Sequence, residues 1–258
     1  MRSVAAIAGV TVREAIRQRL AVNLLVFALG LVAASVTLSQ LTFGEQYRII
    51  VSIALSAMEV FGTLIAVFLG AGVVARDVER RSVYPVIAKP VSRGQYVLGR
   101  YLGLVATTTL NLALMAALFA LVLGGYLRGF GFVRDTPFVA VLAALAVGFA
   151  MVAAVATFFS CFTTATLAAI FTLSLVVAGH LSSDLVRYWA RQGPLARIAS
   201  QVAFVVVPNL EALNLKEAMV YRDPVPAGFA LTGLGYGLLY AAAVVAFSMA
   251  VFSRRDLR

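Results

Sequence analysis

The stretch Ile49-Ile-Val-Ser-Ile-Ala-Leu-Ser-Ala-Met-Glu-Val-Phe-Gly-Thr-Leu-Ile-Ala-Val-Phe-Leu-Gly-Ala-Gly-Val-Val-Ala75 carries one charged side chain, Glu59. A bilayer core roughly 30 Å thick is crossed by about 20 apolar residues of helix, at a rise of 1.5 Å each. Ile49–Ala75 meets that length, and so do Leu20–Leu41, Tyr101–Gly125, Pro137–Ser160, Ala165–Leu181 and Ala227–Phe252. The shortest, Ala165–Leu181, could borrow residues from either flank. The expected fold is an all-α integral membrane protein with six transmembrane helices, forming one membrane domain over residues 1–258.

Composition agrees. The 258 residues are 62% hydrophobic and 12% charged, against roughly 45–50% and about 25% in soluble domains. That leaves too little polar surface to cover a water-soluble globule. The net charge of +10 would point to nucleic acid in a soluble chain. Here the basic residues sit between apolar runs, where they flank spans and meet anionic lipid headgroups, and no nucleic-acid partner is expected. A single cysteine, Cys161, and a single histidine, His180, exclude an intrachain disulfide and a multi-cysteine or multi-histidine metal site. Arg13, Glu14, Arg17 and Arg19 precede the first apolar run, which lacks a small-residue cleavage pattern, so it reads as a retained span.

Basic residues set the expected orientation. With the N-terminus inside, segments 1–19, 76–100, 161–164 and 253–258 hold 13 Lys and Arg, and segments 42–48, 126–136 and 182–226 hold 8. The long segment 182–226 says least, because long loops cross regardless of charge. Both termini are expected in the cytoplasm.

Residues 1–19 read as an interfacial helix capped by Ser3. At 100° per residue Arg2, Ala6, Gly9, Arg13 and Arg17 share one stripe, opposite Val4, Ile7, Ala8 and Thr11, as a surface-lying helix needs. The alternative is that they extend the first span into the cytosol.

Segment 76–100 is the one sizeable inner connection. Asp77 and Glu79 lie among its six basic residues, and Val78, Val83, Val86 and Ile87 give it apolar content. Pro85 and Pro90 interrupt any continuous helix. The expected product is a short helix, a turn at Lys89-Pro90-Val91-Ser92, and a second helix from Arg93 into the third span. Such an elbow either docks into a groove on a partner or seals the inner face as a plain hairpin.

The outer segment 182–226 reads as helical. Tyr188 and Trp189 suit an interface belt, with Tyr221 beyond them, and Leu195 to Val207 has the length of a re-entrant or surface-lying element.

The run Asp77-Val-Glu-Arg-Arg-Ser-Val-Tyr-Pro-Val-Ile-Ala-Lys-Pro-Val-Ser-Arg-Gly-Gln-Tyr-Val-Leu-Gly-Arg-Tyr-Leu-Gly103 resembles the segment after the second span of ABC-2 type permeases, nearest to those of copper-enzyme maturation systems. Glu79-Arg80, Lys89-Pro90-Val91-Ser92-Arg93 and Leu98-Gly99-Arg100 carry the likeness, and Pro208-Asn209-Leu210 is similar to an outer-loop motif of that family. Arg81 and Ser82 depart from it, standing where the family tends to have Gly and Thr. The resemblance implies that the elbow is a coupling helix contacting a separate cytoplasmic ABC ATPase through Arg76, Asp77, Glu79, Arg80, Lys89, Pro90 and Arg93. It also implies a permease homodimer with the substrate path between the copies, in a bacterial or archaeal cytoplasmic membrane, working as an exporter. An extracytoplasmic accessory protein is a further partner. No Gly-x-x-x-x-Gly-Lys-Ser/Thr loop occurs in the sequence, so ATP is expected on the partner and no cofactor here.

Glu59 is the acidic residue inside the apolar stretches, where a carboxylate costs at least about 2.5–3.5 kcal/mol. It lines the substrate path, holds a proton, bonds Thr63 one turn on, or sits near the outer interface if the span starts later. Asn111 is either a bond between helices or a second path residue. His180 reads as a polar residue at the water line and Cys161 as a packing residue. Two other functions compete: a gradient-driven secondary transporter, for which no clear internal repeat is visible, and a membrane-embedded enzyme, for which the scattered aspartates and lone histidine supply no catalytic cluster.

Overall fold

The computed structural model describes residues 2–40, 45–79, 92–181 and 207–254, and every regular element among them is helical. In chain order these are α1 (Arg2–Ile16), α2 (Arg19–Ser39), α3 (Gln46–Ala71), α4 (Ala75–Glu79), α5 (Arg93–Leu127), α6 (Phe132–Asp135), α7 (Phe138–Ser160), α8 (Ala165–His180), a 3-10 turn (Glu211–Leu213), α9 (Lys216–Tyr221) and α10 (Ala227–Ser253).

Among the described residues, α2, α3 running on into α4, α5, α7 and α10 are long and apolar enough to cross a membrane. The protein is a multi-pass membrane protein. At the fifth stretch, the shortest of the six expected spans, the helix falls below that length. There α8 has 16 residues, about 24 Å of helix against a core of roughly 30 Å.

The bundle is built around α7, which packs against α3, α5, α8 and α10. Residues Phe149 to Thr157 are buried on every side of this helix, as an all-round apolar sequence requires. Ala150, Ala153, Ala154 and Ala156 keep the backbone slim, so neighbours approach closely in the absence of a hydrophobic drive between helices. The Phe149 ring fills the space beside Gly62 of α3, and Ala156 meets Gly70 one turn from its end.

One end of the bundle gathers both chain termini. α1 lies on the first turns of α5, where a Cβ at Gly103 would stand 2.6 Å from the Ala8 carbonyl oxygen and one at Gly99 2.8 Å from Ile7. The stripe Val4, Ile7, Ala8 and Thr11 is the one that packs there, while Ala6, Gly9, Arg13 and Arg17 are exposed. Ser3 falls inside α1 and does not cap it. The last turns of α10 reach the same place: the Phe252 ring stacks on Tyr96 at 5.9 Å, and the Arg93 guanidinium donates to the Ser253 carbonyl at 3.4 Å. We call this the terminal end, and the opposite one the far end.

Helix α5 starts where the sequence places it. Ser92 accepts from the Gln95 backbone N–H, and the Gln95 side chain accepts from the Ser92 N–H, a closed capping box. The other features expected between Arg80 and Val91, with Lys89 and Pro90 among them, lie outside the described residues, as do Tyr188, Trp189 and the rest of 182–206.

Candidate functional site

Two clusters of charge stand out in a molecule otherwise made of apolar helices. The first is at the terminal end. α4 begins there because the backbone N–H groups of Val74 and Ala75 both donate to the Ser160 hydroxyl, at 3.0 and 2.9 Å, binding α4 to the last turn of α7. This places Asp77 against α5, where its carboxylate accepts from the Tyr96 hydroxyl and pairs with Arg100.

Arg100 is 8% exposed and uses its fork fully. One guanidinium nitrogen pairs with Asp77 of α4, and the other meets Glu14 of α1 and the Thr11 hydroxyl at 3.2 Å. Its guanidinium carbon lies over the Tyr96 ring, 5.6 Å from the ring centre. A planar five-donor group suits such multiple pairing, which an ammonium could not reproduce. Arg76 folds back: its Nε donates to the Gly72 carbonyl at 3.1 Å and one terminal nitrogen to the Gln18 side chain at 3.3 Å. Glu14, Arg76, Asp77 and Arg100, with Leu69, Val73 and Leu104 among the apolar residues, line a cavity of about 460 Å³ of mixed character.

Of the elbow residues singled out in the sequence, Arg76 and Asp77 are bound into this cluster, Glu79 is exposed at the end of α4, and Arg93 sits against the end of α10. Arg80, Lys89 and Pro90 lie outside the described residues. Sequence reading missed Arg100, Glu14 and Tyr96. Glu14 could have been found as the one acidic residue in a basic N-terminal helix.

The second cluster is halfway along α3. The Glu59 carboxylate takes the Lys216 ammonium on one oxygen and faces His180 Nε2 at 3.4 Å on the other. His180 Nδ1 stands 3.0 Å from the Val176 carbonyl one turn back. Each group comes from a different element: α3, α8 and α9. Thr63, the neighbour considered from sequence, joins Glu59 in the wall of a cavity of about 30 Å³ that Phe149, His180 and Leu213 also line. Asn111, half-buried along α5, is not part of that wall.

Residues 207–226, the described part of the expected outer helical element, put Lys216 there. Residues 208–219 pack against α3, α7, α8 and α10, while 221–224 are exposed. A Cβ at Gly179 would stand 2.4 Å from the Pro208 carbonyl oxygen, and one at Gly233 2.7 Å from that of Ala212. The Asn209 N–H donates to the Tyr236 hydroxyl at 3.0 Å, and its side chain accepts from the Ala212 N–H at 3.2 Å. At the far end the Tyr47 hydroxyl donates to the Met219 carbonyl at 3.1 Å, while the Arg222 guanidinium lies 4.0 Å above the Tyr47 ring. Protein surrounds the non-helical backbone at Pro208 and Leu210, the condition under which such backbone is tolerated within a membrane.

Among the described residues no group of three or more His, Cys, Asp and Glu could hold a metal ion. The model of the ABC-2 family transporter protein matches residues 5–257, nearly the whole chain. The chain belongs to the ABC-2 family. The permease is thus the membrane subunit of an ABC transporter, and its partner is an ABC ATPase. This sets aside the gradient-driven and enzymatic alternatives, and fits a chain without a phosphate loop of its own. No curated protein matches the permease.

Proposed function

We propose that the permease is one half of a homodimeric exporter driven by an ATPase that docks at the terminal end, through segment 76–100. The supporting observation is the Arg100 cluster. It joins α4, where the segment begins, to α5, where it ends, and both to α1. A load applied to the segment therefore reaches α1, α5 and, through Ser160, α7 together. In this reading the terminal end is cytoplasmic, α1 lies in the membrane interface with Arg13 and Arg17 toward headgroups, and α8 with residues 207–226 completes a sixth passage. Such a layout suits a bacterial or archaeal cytoplasmic membrane.

Docking falls to Arg76, Asp77, Glu79, Arg80, Lys89, Pro90 and Arg93, with Glu79 the most accessible among the described members. The substrate path runs between two copies, with Glu59 and Asn111 as its candidate polar residues. Glu59 is occupied by Lys216, so a path role requires residues 207–226 to move. The copper-maturation branch rests on the Glu79-Arg80, Lys89–Arg93 and Leu98–Arg100 resemblances, and the family match adds no support for it. An extracytoplasmic accessory protein would meet the far end.

The test is site-directed labelling in inverted and right-side-out vesicles. A cysteine placed at Glu79 should react with an impermeant maleimide in inverted vesicles. Reaction in right-side-out vesicles instead would overturn the orientation and the docking site together. A tagged permease should carry both an ATPase and a second, differently tagged copy through purification.

A further inference from the structure

The cavity at the terminal end is bounded by three pieces of chain: the α1–α2 corner at Ala15, Arg17 and Gln18, the α3–α4 corner from Gly72 to Asp77, and α5 at Arg100 and Leu104. Its volume of about 460 Å³ falls within the roughly 300–1,000 Å³ of ligand pockets. Both carboxylates in its wall, Glu14 and Asp77, are engaged by Arg100. Arg17 and Arg76 add two further guanidiniums. With three cations facing two carboxylates, the cavity favours an anion.

The Arg76 guanidinium is cradled in this wall. Gly72 has no side chain, and a Cβ there would stand 2.0 Å from Arg76 Nε. The Nε donates to the Gly72 carbonyl and a terminal nitrogen to the side chain of Gln18, the residue after Arg17. Leu69, Val73 and Leu104 give the same wall an apolar side. Arg17 lines the cavity and is exposed, so the cavity reaches the surface there. On that surface Val10 and Ile16 are exposed alongside Arg13 and Arg17, the mixture of apolar and basic side chains that lies in a headgroup layer. Fixed positive charge beside apolar walls at such a layer matches an amphiphile better than a free ion. Basic pockets between membrane helices hold lipid headgroups on the same grounds.

We propose that this cavity binds the phosphate of an anionic bilayer phospholipid, with Arg17 and Arg76 as its cations and Leu69, Val73 and Leu104 against the glycerol and first acyl carbons. The acyl tails stay in the bilayer. A lipid held there ties α1 to the α3–α4 corner, beside the bridge that Arg100 makes between Glu14 and Asp77. The site goes beyond the proposed docking and export and stands on the cavity alone; only the leaflet depends on the proposed orientation. Arg76 belongs to the proposed docking set as well, so Glu79→Lys, outside the cavity wall, is carried through the same test to separate the two roles.

The test is lipid retention on the full-length permease, purified in detergent with the ATPase that accompanies it and read by native mass spectrometry. Dioleoyl phosphatidylglycerol should bind saturably to the permease. Dioleoyl phosphatidylcholine, whose choline cancels the phosphate charge, should not, and equal retention of the two would reduce the site to plain lipid contact and overturn it. Inorganic phosphate should compete only in large excess. Displacement at matching concentration would assign a free anion in place of a lipid. Arg17→Gln and Arg76→Gln should each weaken phosphatidylglycerol about fivefold. Gly72→Ala keeps every charge but pushes the Arg76 guanidinium off its cradle, and should weaken the lipid likewise. Arg13→Gln, on α1 outside the cavity wall, should leave binding as it was. Wild-type affinity in Arg17→Gln or Gly72→Ala, or an equal loss in Arg13→Gln, would overturn the site. Arg17 is exposed, so its variant keeps the fold even where Arg76→Gln loosens α4, and the thermal midpoint without added lipid checks both. Glu79→Lys should retain the lipid. Phosphatidylglycerol lost from a permease that still carries its ATPase sinks the lipid site alone, and a permease that binds the lipid but carries no ATPase sinks the docking proposal alone.

Discussion

Arg100 and Asp77 form an ion pair across 23 positions of the chain, and the pair closes over the two ends of the elbow segment. Both side chains are largely buried, 10% and 17% exposed, so a docking role for Asp77 requires α4 to loosen from α5 as the ATPase binds.

Arg100→Ala should therefore act on the fold. It takes the shared cation from Asp77, Glu14 and Thr11 at once, and breaking a buried pair costs about 3–5 kcal/mol. A drop in thermal midpoint in detergent is expected, with Arg100→Lys recovering part of it, since an ammonium cannot engage α1 and α4 with one rigid fork. Asp77→Asn should cost less, because the Tyr96 hydroxyl keeps a partner. A midpoint unchanged in Arg100→Ala would contradict the cluster's structural role.

Glu79 offers the contrasting experiment. It is exposed at the end of α4, where substitutions usually shift stability by no more than about 0.5 kcal/mol. Glu79→Lys should keep the wild-type midpoint and recover less ATPase on purification. Full recovery of the ATPase would remove Glu79 from the docking surface.

Ser160→Ala removes the one hydroxyl that serves the amides of Val74 and Ala75. Leaving buried donors unpaired costs about 1–3 kcal/mol each. Hydrogen exchange at Val74 and Ala75 should accelerate, with far smaller changes in the middle of α7. Unaltered protection of those two amides would show that the hydroxyl is dispensable.

Gly103→Leu tests the seat of α1. The added side chain meets the Ala8 backbone and Thr11, and such overpacking costs about 1–3 kcal/mol. Faster tryptic cleavage after Arg13 and Arg17 is expected, with Gly103→Ala intermediate. Identical cleavage rates would mean that α1 does not depend on this contact.

Much of the architecture was readable because it rests on local regularities. The 100° stripe of Val4, Ile7, Ala8 and Thr11 names the packed face of α1, and Ser92 with Gln95 three residues on marks the start of α5. Apolar run length located the five long helices. Pairing across long separations was not readable. Lys216 and Glu59 are 157 positions apart, and no periodicity relates them, so Glu59 looked solitary and His180 looked like a residue at the water line. Run length placed Ala165–Leu181 within one residue of α8, but could not say that His180 at the end of that helix meets Glu59 of α3. Arg100 read as a flanking positive charge because its partners Glu14 and Asp77 come from two other helices.

The two amides held by Ser160 bear on where the molecule can bend. A hinge needs backbone whose N–H groups can trade partners as torsion angles change. Residues 72–75 have no such freedom at Val74 and Ala75, both spoken for by one oxygen on a neighbouring helix. The corner between α3 and α4 is thus fastened to α7, and any torque applied to α4 would pass in part into the most deeply enclosed of the described helices.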